Sequence, residues 1–224
     1  MSVHLRPEEI EAESFRIIDT EVGPHDWSAL EWPIVRRAIH TSADFDYART
    51  MAFSPDAVAR GIDALRGGCG IVTDTTMALA GINKGLLKQF GAPISCFVAD
   101  IAVSAEAVRL GITRSILAMR KAAGDPGNRI FVIGNAPTAL FELLRLVREE
   151  ALQPDLVVGL PVGFVGAEES KEELMQAASR HGIPFITNRG RKGGSNVAAA
   201  VINALLKSAE RSQTPNRPLK NYPI

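Results

Sequence analysis

The chain has 224 residues, with 25 Lys plus Arg against 25 Asp plus Glu and a formal net charge of zero, which excludes a chain-wide polybasic surface for nucleic acid. Apolar residues make up 46% and charged residues 22%, the balance of a folded chain rather than a disordered one. At ~150 residues per domain a single compact domain accounts for the length, and a globule of this size buries roughly 70% of its unfolded surface, enough for a core without disulfide or metal.

The amino terminus, MSVHLRPEEIEAE, lacks the apolar segment of a secretion signal, and no run approaches ~18 uninterrupted apolar residues. The expectation is a cytoplasmic protein that makes no membrane contact. Three helical patterns come first, at residues 7–20, 32–42 and 55–66, and form an N-terminal helical arm. Short apolar runs rich in β-branched residues follow at 70–73, 94–98, 129–133, 156–160 and 184–187, and read as buried parallel strands. Helical patterns at 106–122 (interrupted at Gly111), 138–152, 167–180 and 195–209 lie between and after them. This alternation specifies an α/β fold: a single domain with a mainly parallel, doubly wound sheet flanked by helices. The domain is expected over 1–207 and a tail over 208–224, whose end, SQTPNRPLKNYPI, holds three prolines and few apolar anchors. Cys69 and Cys96 each stand in an apolar, strand-like context and read as buried thiols. With no CxxC, HExxH or His/Cys cluster, no zinc site is expected.

The neutral total conceals a polarity. Positions 1–46 hold 4 basic and 10 acidic residues, 47–180 hold 14 of each, and 181–224 hold 7 and 1. Either an acidic helical surface faces a basic tail, including across a subunit boundary, or the carboxyl-terminal region binds an anion.

In open α/β sheets ligands bind at the carboxyl ends of the strands. Run 129–133 leads into Gly134, Asn135, Ala136, Pro137 and Thr138, run 156–160 into PVGFVGAEESK, and run 184–187 into NRGRKGGSN. Such turns expose amides at a helix start and make anion sites, or else serve simply as tight turns. Neither GxxxxGK[ST] nor GxGxxG is present, so a nucleotide is not the expected ligand. Arg189, Arg191 and Lys192 stand just ahead of a helix, where cations are disfavoured by ~0.3–1 kcal/mol unless an anion joins them. Arg114 repeats this pattern after Gly111 and a capping Thr113; the alternative is a solvated surface cation.

Ser14 shares a helical stripe with Ile10, Ile17 and Ile18, taken as the inward face. Its hydroxyl either bonds its own helix carbonyl or faces a ligand. His40 lies near the end of a helix whose apolar stripe is Trp32, Val35 and Ile39, with Asp44 and Asp46 just beyond. A helix C-terminus and two carboxylates both favour imidazolium, so His40 is either a proton donor near neutral pH or a capping residue.

Six segments in order carry a family likeness: AIHT around His40, DTTMALAGI, ITRS with Arg114, GNAPTALFELL, GLPVGFVGAEESK and NRGRKGGS. Together, over about residues 14–205, the chain resembles the precorrin-8X methylmutase family, which includes the cobalt-precorrin-8 methylmutases. The resemblance implies a cobalamin-pathway isomerase that moves a methyl group from C-11 to C-12 of a macrocycle, giving hydrogenobyrinic acid or its cobalt counterpart. It implies a homodimer with sites near the subunit boundary, no cofactor, and a tetrapyrrole (precorrin) substrate with several carboxylates. It places the catalytic histidine on His40, a substrate-contacting serine on Ser14, a ring-facing arginine on Arg114, and a further contact on Arg37. Asn135, Arg189 and Ser195, with Arg191 and Lys192, are then expected to hold the carboxylates. Two rivals use the same loops: a non-catalytic corrinoid carrier, which does not require His40, and a phosphosugar or nucleotide enzyme.

Overall fold

Four of the five apolar runs become full strands, and the fifth a short one, in a sheet of six: β1 (Met51–Phe53), β2 (Gly70–Thr73), β3 (Ile94–Ser95), β4 (Asn128–Ile133), β5 (Leu156–Gly159) and β6 (Phe185–Asn188). They belong to a computed structural model that describes residues 6–213. The strand order is β1-β6-β5-β4-β2-β3, with β2 to β6 parallel and β1 antiparallel to β6.

Successive side chains on a strand point to opposite faces, so the sheet builds two cores. Ile71, Ile130, Val132, Leu156, Val158 and Ile186 enter one, and Val72, Phe131, Ile133, Val157 and Phe185 the other. The first face is covered by α2 (Trp32–Ser42), α4 (Ala57–Arg66) and α11 (Ser195–Gln213). The second is covered by α7 (Ile101–Leu110), α8 (Arg114–Ala123), α9 (Pro137–Glu150) and α10 (Ala167–His181). Helix α11 is buried along Val197, Ala198, Val201, Ile202 and Leu205, and its small residues admit α2, α4 and α5 (Thr76–Gly81) closely.

Helix α1 (Pro7–Val22) lies outermost, against α2. Of its expected inward stripe only Ile18 is buried; Ile10 and Ile17 are exposed, because α1 touches the body along a narrower line than its apolar spacing suggests. The strand expected over 94–98 stops at Ser95, since β3 is an edge strand paired only with β2. Cys69 and Cys96 fall just outside strands and are half-buried rather than buried. β1 was not evident in the sequence: three residues are held by Arg189 N–H donating to Thr50 O at 2.8 Å and Ser54 N–H donating to Phe185 O at 3.0 Å. Helix α11 runs on to Gln213, and residues 214–224 of the expected tail lie outside the described residues. No helix among the described residues is long and apolar enough to cross a membrane.

From β2 the chain moves to β3 on one side and returns to β4 on the other. The order therefore reverses between β2 and β4, and a doubly wound sheet opens its ligand crevice at such a point.

Candidate active site

The crevice between β2 and β4 holds a carboxylate of the protein itself. Asp74, just past β2, accepts from the amides of Gly134 (2.8 Å), Asn135 (2.8 Å) and Ala136 (2.7 Å). The loop amides expected to await an anionic ligand are thus occupied, which corrects that expectation for the Asn135 loop. Burial pushes the Asp74 carboxyl up, against the three amides that favour its charge. Around it the backbones close in: a Cβ on Gly134 would stand 2.7 Å from Ser195 Cα. Only glycine allows β4 and the start of α11 to meet there. Ser195 is nearly buried, and its hydroxyl pairs with that of Thr75 at 2.8 Å. The Asn135 side chain is exposed.

Arg114 opens α8 after Thr113, whose hydroxyl caps Ile116 N–H and donates to Thr138 Oγ1 at 3.2 Å. That bond joins the start of α8 to the start of α9, so exposed Arg114 lies on the same rim as Asn135.

The other two loops form one unit. Gly194 N–H donates to Leu160 O at 3.0 Å and Gly163 N–H to Arg191 O at 3.2 Å. A Cβ on Gly193 would meet Leu160 O at 2.3 Å, so the loops touch at a glycine. Arg189 and Arg191 are exposed, and the Arg191 guanidinium lies 5.9 Å from the Phe164 ring centre and 3.8 Å from Glu168. Lys192 was expected to await a ligand carboxylate. Instead its Nζ sits 2.6 Å from both Asp44 and Asp46, and it resolves its charge within the chain.

His40 has a different set of neighbours. Its ring meets Phe15 edge-on at 5.2 Å between centres, and the Arg36 and Arg37 guanidinium groups stand over that phenyl ring at 4.3 and 4.7 Å. Arg37, with only 15% of its side chain exposed, donates to Glu11 Oε1 at 2.7 Å. Lys207 reaches Glu11 Oε2 at 3.3 Å. Burial and the Arg37 charge push the His40 pKa below its usual 6.5; Glu11 opposes them and Lys207 adds to them. The expected upward shift is overturned, because burial disfavours the charged ring, the Arg37 and Lys207 charges add to that, and Asp44 and Asp46 are engaged by Lys192. Ser14 donates to Ile10 O at 2.8 Å, the ordinary back-bond within a helix.

The predicted residues therefore fall into two groups. Asn135, Ser195, Arg114 and Arg189 gather at the strand ends, and Ser14, Arg37 and His40 gather where α1 crosses α2. Lys192 bridges toward the second group through Asp44 and Asp46. Sequence reasoning overlooked the places of Glu11, Phe15, Asp74 and Lys207 in these two groups. An acidic residue directly after an apolar strand was the available sign for Asp74.

A reversed strand order with glycine-rich, cationic loops at its opening is the place where a doubly wound α/β fold binds a ligand. The profile of the family described as precorrin-8X methylmutase matches residues 9–208. The cobalt-precorrin-8 methylmutase of Priestia megaterium is 48% identical over 210 residues, 94% of this chain and 92% of that protein. The cobalt-precorrin-8 methylmutase of Salmonella typhimurium is 49% identical over 207 residues, 90% and 95% of the two chains. The crystal structure of precorrin-8x methyl mutase from Thermus thermophilus superposes with a TM-score of 0.82 at 40% identity, covering 91% of this chain and 98% of that one. The chain belongs to the precorrin-8X methylmutase family, isomerases of corrin biosynthesis.

Proposed function

We propose that the protein moves a methyl group from C-11 to C-12 of precorrin-8X, or of its cobalt form, with His40 as general acid. The observation that carries this reading is the composition of the strand-end rim. Met77, after β2, and Phe164 and Val165, after β5, stand 68%, 85% and 88% exposed, with Arg191 5.9 Å from the Phe164 ring centre and Arg114 and Arg189 exposed at the openings of neighbouring segments. A macrocycle with an apolar ring and carboxylates along its edge complements that mixture. A phosphosugar or nucleotide would place its phosphate on the switch-point amides, which Asp74 already fills.

In the shift one carbon–carbon bond breaks as another forms within the same molecule. No atoms or electrons are gained, so the protein supplies positioning and the loan of a proton. His40 protonates the conjugated ring, lowering the barrier as positive character develops, and takes the proton back afterwards. Substrate carboxylates near Arg37 and Lys207 offset the cations that hold the imidazole down, so His40 charges as the ligand arrives. Ser14, whose hydrogen is committed to Ile10 O, keeps its lone pairs for a donor on the ring. Arg37, Arg114, Asn135 and Arg189 take the carboxylates, and Ser195 supports the rim from beneath. The protein acts in the cytoplasm as a homodimer with its sites at the subunit boundary.

Stopped-flow absorbance with metal-free and cobalt-loaded substrate tests this reading. One of them is expected to convert. His40→Ala is expected to retain binding of hydrogenobyrinic acid while kcat falls about 10²- to 10⁴-fold. Near-normal turnover in that variant would remove His40 from the chemistry, and binding without turnover in the wild type would favour a corrinoid carrier.

A further inference from the structure

Lys171 stands on the second turn of α10 with 0% exposure, and the chemistry above makes no use of it. Burying an ammonium group is costly unless its hydrogens are well received. Here two are: Nζ donates to Asn188 Oδ1 at 3.1 Å and to Lys192 O at 2.6 Å. Asn188 Nδ2 donates to that same Lys192 oxygen at 2.9 Å and to Arg189 O at 3.1 Å. One amine therefore ties the end of β6 to the far side of the turn, closing segment 188–192 into a ring that displays Arg189 and Arg191 outward. The next two residues, Gly193 and Gly194, lock against Leu160 and Pro161. An apolar side chain of equal length fills the same space but holds neither oxygen.

We propose that Lys171 is the positioning residue of the carboxylate site: it shapes the 188–194 loop from beneath and sets a buried positive charge behind Arg189 and Arg191. The inference rests on the strand-end rim being the substrate site. The charged groups around it are few. Glu168, one turn earlier on α10, is drawn toward Arg191, and the Lys192 ammonium is neutralised by Asp44 and Asp46 from the segment after α2. Burial brings the Lys171 pKa down to about 8, with Glu168 pulling the other way. The charge behind the loop is thus present below pH 8 and lost above it, whereas the arginines keep theirs throughout.

The test is an equilibrium titration with hydrogenobyrinic acid, read by its visible absorbance, on wild type, Lys171→Met and Lys171→Arg at pH 7 and pH 9, with steady-state kinetics alongside. Lys171→Met, folded by circular dichroism, is expected to bind about tenfold more weakly at pH 7, or about 1.4 kcal/mol. Its KM rises while kcat is retained, and its affinity is the same at both pH values. Wild type loses affinity severalfold between pH 7 and pH 9; Lys171→Arg recovers binding and shows no such loss. Wild-type affinity in Lys171→Met, or a fall in kcat at unchanged KM, overturns the proposal. If Lys171→Met does not fold, wild-type affinity that is equal at pH 7 and 9 overturns it. A wild type that binds no hydrogenobyrinic acid overturns the functional reading and this inference with it, a result distinct from normal binding in every variant.

Discussion

His40 sits where opposed electrostatic influences meet. Its place in the last turn of α2 favours imidazolium, yet partial burial, Arg37 three residues before it, and Lys207 on α11 all favour the neutral ring, while the Glu11 carboxylate pulls the other way. For an acid that must be protonated to work, activity falls as pH rises through its pKa. kcat/KM reports the free protein, so its alkaline limb is expected below pH 6.5, the usual value for histidine. kcat reports the complex, in which substrate carboxylates offset the cations, and its limb is expected at higher pH. Glu11→Gln removes the opposing carboxylate and is expected to move the kcat/KM limb to still lower pH. A pH–rate profile of the two proteins checks this; a limb that stays put or moves upward would detach Glu11 from His40. The position of His40 on its helix was legible in the sequence, but the sign of its shift was not. Lys207 lies far along the chain, and only folding of α11 against α2 places it beside the imidazole.

Capping at the scale of elements shows the same division between what is local and what is not. Helix α9 begins at Pro137 with Ala136 as its N-cap, a residue whose side chain has no acceptor, in a position where Ser, Thr, Asp or Asn is the usual choice. Asp74 supplies the missing acceptor from the end of β2, and in doing so ties two parallel strands together at the switch point. Asp74→Ala leaves three amides at the crevice without that acceptor and is expected to cost about 2–4 kcal/mol. Urea unfolding would show a lower midpoint with unchanged slope, and an unchanged midpoint would refute the capping role. Strands β2, β4, β5 and β6 were legible because each is a short run rich in apolar and β-branched residues and almost wholly buried. β1 escaped notice because its three residues depend on Thr50 and Ser54 pairing with the β6 strand. Helices α5 and α6 (Lys84–Phe90) have only 6 and 7 residues, too few to display a period, and are marked only by their caps Thr75 and Asn83. The Asn135 loop was recognisable as an anion site from its amides, while its occupant, 60 positions away, was not.

At the scale of the whole molecule the exposed apolar surface exceeds what one planar ligand needs. Ile101 and Val108 on α7 stand 87% and 85% exposed, and Leu110 continues toward Arg114. Monomers rarely leave such side chains grouped in water, and we propose this face as the one that a second copy covers in the homodimer. Cover over α7 would carry the neighbouring Arg114 into the boundary, where a site shared between the subunits draws His40 from one and Arg114 from the other and an unshared site takes both from one chain. Arg114→Ala alone is expected to raise KM with little change in kcat, the mark of lost binding to a carboxylate. Refolding a mixture of His40→Ala and Arg114→Ala chains then distinguishes the arrangements at substrate concentrations well below the raised KM. In a shared site, half the sites of each mixed dimer carry both substitutions and the other half carry neither, so activity reappears above that of either variant alone. If His40 and Arg114 serve the same site from one chain, every site keeps one defect, and the mixture shows only the average of its parts.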